Sequence, residues 1–365
     1  MEGLHDAIAA HGPVWLTVGG FILGLAFGAV VFRTNYCAMG SLSDIHNFGD
    51  YRRFRAWLLA AAVALLGAQL LQGAGVVSLE KSMYLGSNIN WFGNIVGGLI
   101  FGFGMVFAGG CPSRNLARAG SGDIRSLITL VVLGMAAYMT IGGLFAPIRA
   151  RVEQTTAFPA FHAPTQSIAD IAGAATGLAA GPIGAWLTVI IAGAAILYCL
   201  GDTRFRGSPV HLFSGVAIGL IVVAGWALTG FTFDDMSVKP IPPISLTFVR
   251  PAGDTLEWLQ RFTAGPLPGF GTSTVIGALV GAFATAWSMG RFRIATYSDI
   301  GDTVRNLSGA ALMGVGGVMA MGCTVGQAIT GVSTLAFGSF LAFGSIVAGG
   351  FYGLRVLERQ ILAAA

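Results

Sequence analysis

The chain has 365 residues, 55% of them hydrophobic and only 10% charged, with 55 glycines and a formal net charge of +4; its mean hydropathy is +0.75. A water-soluble domain carries about a quarter charged residues. This composition therefore excludes a soluble enzyme or binding module and fits helices packed in lipid, where glycine permits close approach.

Apolar runs of about 18 to 23 residues, enough to cross roughly 30 Å of hydrocarbon, fall at 14–32, 56–78, 92–110, 124–145, 183–200, 210–232, 271–290, 305–322 and 335–354. The first thirteen residues hold Glu2 and Asp6 but no Lys or Arg, so they lack the basic flank of a secretory signal and the first run is expected to be retained. Nine spans place the termini on opposite sides. With the N-terminus outside, the inner connections hold Arg33, Arg52, Arg53, Arg55, Arg114, Arg118, Arg125, Arg204, Arg206, Arg291, Arg293, Arg305, Arg355 and Arg359. The outer ones hold Lys81, Arg149, Arg151, Lys239, Arg250 and Arg261. That asymmetry predicts an N-out, C-in orientation. Basic residues at helix ends rather than in one patch argue against a nucleic-acid partner.

Two proline-bearing polar stretches, 146–182 and 233–270, read as outer loops or short interfacial pieces. The first divides a single transmembrane domain into halves, 14–145 and 183–354. Each half carries one copy of a Gly-rich decamer: Gly102-Phe103-Gly104-Met105-Val106-Phe107-Ala108-Gly109-Gly110-Cys111 returns as Gly314-Val315-Gly316-Gly317-Val318-Met319-Ala320-Met321-Gly322-Cys323. In a nine-span chain the two decamer helices run in opposite directions, as in an inverted repeat with its site between the halves. The expected fold class is all-α: a polytopic membrane protein of about nine helices in two pseudo-symmetric halves, with re-entrant or short helices around a central pore. Segments 92–110 and 305–322 either cross fully or stop at the midplane. Ser43-Asp44-Ile45 and Ser298-Asp299-Ile300 also echo each other, although a whole span intervenes only in the first half, and the place matching Cys37 falls near Ile294.

The decamers point to chemistry because a packing role explains their glycines but not a thiol at the end of each. Pro112 suits the first turn of a helix beginning at Cys111, whose free amides and dipole converge on the sulfur; Thr324 takes that place after Cys323. Asn115 and Gln327 each lie four residues beyond their thiol. Cys37, in Asn35-Tyr36-Cys37 with frequent polar neighbours, belongs at a mouth or re-entrant loop, whereas Cys199 reads as an apolar filler at a helix end. Arg114 and Arg118 draw an anion inward or simply obey topology; Asp44 and Asp299 carry protons or cap helices. His5, His11, His46, His162 and His211 are scattered, no C-x-x-C pair occurs, and neither a metal site nor a cofactor is expected.

Weak S–H donors suit a solute that presents a soft sulfur and must bind loosely enough to leave. Two thiolates would repel an anion, so neutral thiols are expected. The Gly-Cys motif ending at Cys111, its partner Gly322-Cys323-Thr324-Val325-Gly326, and Asn35-Tyr36-Cys37 together resemble the YeeE/YedE family of sulfur-transport membrane proteins over essentially the whole chain. The resemblance implies a thiosulfate permease of the bacterial inner membrane, with Cys37, Cys111 and Cys323 lining a narrow path. Gly110, Pro112, Arg114, Asn115, Gly322, Thr324 and Gln327 support them. It also implies lipid surroundings and a small cytosolic sulfur-carrier protein as partner. The motif departs from many relatives in continuing Cys-Pro-Ser-Arg-Asn, which leaves another small sulfur or selenium species as substrate. Two other function classes compete: a membrane sulfurtransferase holding persulfide, and a soft-metal channel using sulfurs such as Met321 beside Cys323.

Overall fold

The computed structural model describes residues 11–235, 240–265, 267–297 and 299–364. Readings that rest on Glu2, His5, Asp6, Lys239 and Ser298 lie outside the described residues. Of the described residues 76% are helical, and the only sheet among them is a two-residue pair, Asn88–Ile89 against Phe158–Pro159. The protein is a polytopic all-α membrane protein.

The helices in chain order are α1 (Gly12–Thr34), α2 (Ala38–Phe48), α3 (Arg52–Gly73), α4 (Gly98–Phe107, entered through a wider π-type turn at Gly93–Gly97), α5 (Pro112–Gly120), α6 (Ile124–Ile141), α7 (Ala146–Thr156), α8 (Ile168–Thr176), α9 (Ala180–Leu200), α10 (Thr203–Arg206), α11 (Pro209–Phe231), α12 (Val249–Gln260), α13 (Phe270–Ser288), α14 (Ile300–Met319) and α15 (Phe337–Ala364). Eight helical stretches among the described residues are long and apolar enough to cross a membrane. Two of them are broken: Gly12–Phe48 at Asn35 to Cys37, and Gly93–Gly120 at Ala108 to Cys111. The expected span 305–322 is not among the eight. It falls in α14, whose first turns carry Asp302 and Arg305, and α14 is sheltered by protein: Asn306 donates to Ala108 O at 3.0 Å at one end of α4, and Gly316 meets Gly97 and Phe101 near the other. The charged first turn is itself exposed, with Ile300 and Val304 open, and Arg305 pairs with Asp302 at 2.6 Å, while α4 and α6 pack on the buried stretch from Gly309 to Gly317.

Small residues set the register. Gly28 of α1 lies so close to the Ala278 backbone of α13 that an added Cβ would overlap it, and Gly24 meets Thr274 in the same way, so these two helices run parallel. Four such parallel pairs are built: α1 with α13, α3 with α11, α4 with α15, and α6 with α14, while α4 and α14 run antiparallel at the centre. Exchanging α1 with α11, α3 with α13, α4 with α14 and α6 with α15 maps this set of contacts onto itself. Helix α9, packed on α3 and α8, stands outside the exchange.

Two sequence expectations change on this frame. The Ser-Asp-Ile echo is not structural: Asp44 sits inside α2, paired with Arg53 at 3.2 Å, whereas Asp299 is the N-cap of α14, accepting from Asp302 N at 2.7 Å. The position matching Cys37, the N-cap of α2, is Phe248, the residue preceding α12; Ile294 is an exposed loop residue. The stretch read as an outer loop, 233–270, is also partly interior. Ser245, Leu246, Thr247, Phe248 and Val249 are all buried, with Ser245 Oγ donating to Val222 O at 2.6 Å and Thr330 donating to Leu246 O at 2.7 Å. An extended segment can be buried this way because its polar groups find partners.

Candidate functional site

Each of the three singled-out cysteines stands where one helical run has stopped and another starts. Before Cys37 the chain turns through Asn35 (φ 56°), before Cys111 through Gly109 (φ 71°) and Gly110 (φ 155°), and before Cys323 through Met321 (φ 60°). The left-handed residue ends the preceding helix, and the cysteine, in extended conformation at 37 and 111, begins the next. Cys37 Sγ accepts from Gly40 N at 3.2 Å and Cys323 Sγ from Gly326 N at 3.3 Å, the i to i+3 geometry of an N-cap. Cys111 Sγ instead contacts Ser113 Oγ at 3.1 Å, with Pro112 occupying the first helical position as expected. All three thiols are buried.

The structure places the Cys37 and Cys111 side chains close together, with Thr324 near Cys111 and Cys323 within electrostatic reach of Cys111. Cys199 is elsewhere, donating to Arg55 O at 3.2 Å in a packing contact. Asn115 and Gln327 do the same job in the two copies. Asn115 Nδ2 donates to Gly110 O at 2.8 Å and to Cys111 O at 3.3 Å; Gln327 Nε2 donates to Ala320 O. Each amide therefore braces the turn that presents its own thiol, and Gly110 and Gly322 make the bend.

Two cavities reach these turns from opposite ends. One of about 450 Å³ is lined by Pro243, Arg250 and Asp254, with Thr247, Met321 and Gly322 at its thiol end; Thr247 Oγ1 stands 4.0 Å from Cys323 Sγ. The other, about 230 Å³, is lined by Gly109, Arg118, Arg125, Arg305 and Asn306. Arg118 and Arg125 are both committed to Asp123, at 2.6 Å and 3.2 Å, and Arg53 to Asp44. Arg114 is different. It lies within electrostatic reach of Cys37 and Cys111, and no carboxylate pairs with it among the described residues.

Several of the unpartnered polar atoms lie around these turns. Tyr36 Oη, Tyr84 Oη, Thr324 Oγ1, Asn115 Oδ1 and Gln327 Oε1 are buried with no protein hydrogen-bond partner, a state that costs about 1–3 kcal/mol per group. Thr247, Tyr84 and Ser113 were missed by sequence reasoning. The alternation of apolar and hydroxyl residues from Ile244 to Val249 inside a proline-rich stretch was the available signal for Thr247; nothing local marks Tyr84. Among the described residues no three His, Cys, Asp or Glu side chains gather as a metal-binding group.

The sequence has known relatives. The family model described as Sulphur transport matches residues 33–352. A protein named "Thiosulfate transporter TsuA" from Spirochaeta thermophila is 28% identical over 359 residues, covering 93% of this chain and 99% of the relative. Its namesake from Escherichia coli is 28% identical over 333 residues, 86% of this chain and 87% of the relative. A "Probable transporter YedE" from Salmonella typhimurium is 31% identical over 103 residues, 28% of this chain and 24% of the relative. The chain belongs to the sulphur transport family.

Proposed function

We propose that this member of the sulphur transport family imports thiosulfate across the inner membrane, handing it from the larger cavity past Cys323, Cys111 and Cys37 to the arginine-rich side. The observation that carries this reading is the row of three buried thiols, each at the start of a helix, between cavities at opposite ends. The terminal sulfur of thiosulfate accepts weakly from neutral S–H groups, while helix-start amides offset part of the anion's charge. Contacts this weak leave each station shallow, which conduction requires. Arg114, lacking a carboxylate, adds a counter-charge where the ion leaves.

The two halves act as an inverted repeat, 14–145 and 183–354, with the N-terminus outside and the C-terminus inside. Arginine-bearing helix ends support that orientation. They share one face, where Cys199 meets Arg55, Arg55 pairs with Asp202, and His46 lies 3.1 Å from Glu358. The same face is where a small acidic sulfur-carrier protein would dock.

Labelled thiosulfate uptake into cells lacking other import routes tests the reading. Cys111→Ala and Cys323→Ala are each expected to lower uptake at least about tenfold, the effect of losing one well-placed contact; undiminished uptake by both variants rejects the thiol path. Mass spectrometry of protein incubated with thiosulfate separates transport from sulfur transfer. Every thiol is expected at its unmodified mass, and a persulfide adduct on any of the three would favour an enzyme.

A further inference from the structure

We propose that the hydroxyls of Tyr36, Thr324 and Tyr84 are the donors that receive the oxygen end of the anion, so that the constriction selects a substrate with two unlike ends. The inference rests on the thiosulfate reading above and adds to it. Thiols alone would select for soft sulfur; they offer nothing strong to an oxyanion, whose natural partner is an O–H or N–H donor.

Three observations converge. The hydroxyls are nine-tenths buried or more: Tyr36 is 5% exposed, Tyr84 2% and Thr324 1%. None meets a protein partner in hydrogen-bonding geometry, the Cys111 sulfur being the nearest candidate for Thr324, and Ser82 and Ser339 are the only other buried hydroxyls in that state among the described residues. Buried hydroxyls nearby are otherwise bonded: Thr330 to Leu246 O at 2.7 Å, Thr229 to Ile244 O at 2.8 Å, and Ser333 to Thr330 O at 2.6 Å. The third observation is placement. Tyr36 precedes Cys37 and lies within electrostatic reach of Cys111, Thr324 stands near the Cys111 sulfur, and the Tyr84 hydroxyl lies against Gly326, the residue whose amide donates to Cys323 Sγ. Each end of the thiol row thus has one phenol beside it, with Thr324 between. Unspent donors in a dry interior, spaced along the sulfurs, form a second rail for the oxygen atoms as the sulfur moves from thiol to thiol.

The test uses the full chain in proteoliposomes, measuring initial rates of labelled thiosulfate uptake against concentration for Tyr36→Phe, Tyr84→Phe, Thr324→Val and Thr324→Ser. Each loss of a hydroxyl is expected to raise the apparent KM about tenfold, with Thr324→Ser recovering it, while the thermal midpoint in detergent holds or rises because an unpartnered polar atom has gone. Inhibition of uptake by hydrosulfide, which has no oxygen to place, should keep its midpoint in the Phe variants. Unchanged KM values in Tyr36→Phe, Tyr84→Phe and Thr324→Val overturn the proposal, as does an equal weakening of hydrosulfide, which would mark the hydroxyls as packing for the thiols. A Cys111→Ala protein that still transports fully defeats the underlying reading instead, so the two failures are distinct.

Discussion

The two thiol turns are built to one plan and finished differently. Both end a Gly-rich helix in a left-handed residue, brace the turn with an amide four residues beyond the cysteine, and restart a helix at the sulfur. At Cys111 the left-handed residue is Gly109, a second positive φ follows at Gly110, the next helix is α5, and the neighbours are another thiol and an arginine. At Cys323 the left-handed residue is Met321, the restarted helix widens into π-type turns at Gly326–Gly331, and the neighbour is the Thr247 hydroxyl. Repetition fixed the scaffold that holds a thiol out of register with its helix. Hydroxyls face both thiols, and divergence set what else each meets: a second thiol and an arginine at Cys111, and neither at Cys323.

The largest expected asymmetry is in the bends. An added Cβ at Gly110 meets Arg114 Cγ at 3.0 Å and the φ of 155° disfavours any side chain, whereas at Gly322 it meets the movable Gln327 side chain at 3.2 Å. Gly110→Ala should therefore cost about 3 kcal/mol and Gly322→Ala well under that, read as thermal midpoints in detergent; equal losses would mean that the bends are equivalent. Next comes the ionic latch after α5. Asp123 is buried, which by itself would raise its carboxyl, but Arg125 and Arg118 outweigh that and hold it below the usual range. Its stabilisation is therefore complete above the ordinary carboxylate pKa and fades as pH falls through the lowered value. Asp123→Asn should cost about 2 kcal/mol at neutral pH and flatten the acid limb of the stability profile.

A smaller effect sharpens the electrical contrast. Arg114→Gln is expected to reduce thiosulfate uptake about tenfold, the worth of one charge-assisted contact, without the loss of thermal stability that breaking a buried ion pair would bring. A drop in midpoint with normal uptake would make Arg114 structural. The smallest effect concerns Met321, which bears a left-handed φ that glycine accepts freely. Met321→Gly should stabilise the turn before Cys323 by up to about 1 kcal/mol, and a lower midpoint would show that the methionine side chain packs for more than its backbone costs.

Hydropathy and repetition made much of this legible. The spans, the paired decamers, Asn115 matched to Gln327, and Pro112 at a helix start all follow from patterns within a few residues, because helix periodicity, lipid length and turn chemistry are local constraints. The family resemblance added the three cysteines as a set. What local pattern could not supply was correspondence between distant segments. Ser43-Asp44-Ile45 invited a false alignment, and the pattern left open whether 305–322 crosses fully, because its packing on α4 and α6 is set by segments far away in the chain.

The amino-acid sequence by itself determined that this protein lives in a membrane as a helical bundle and that two of its turns end in a thiol, since those outcomes depend only on neighbouring residues and the thickness of lipid. Tertiary structure alone decided that Thr247 reaches Cys323, that Tyr84 comes near it with a free hydroxyl, and that Arg114 is left without a carboxylate. Those facts depend on which faces meet when helices far apart in the chain pack backbone to backbone, and no stretch of sequence records that choice.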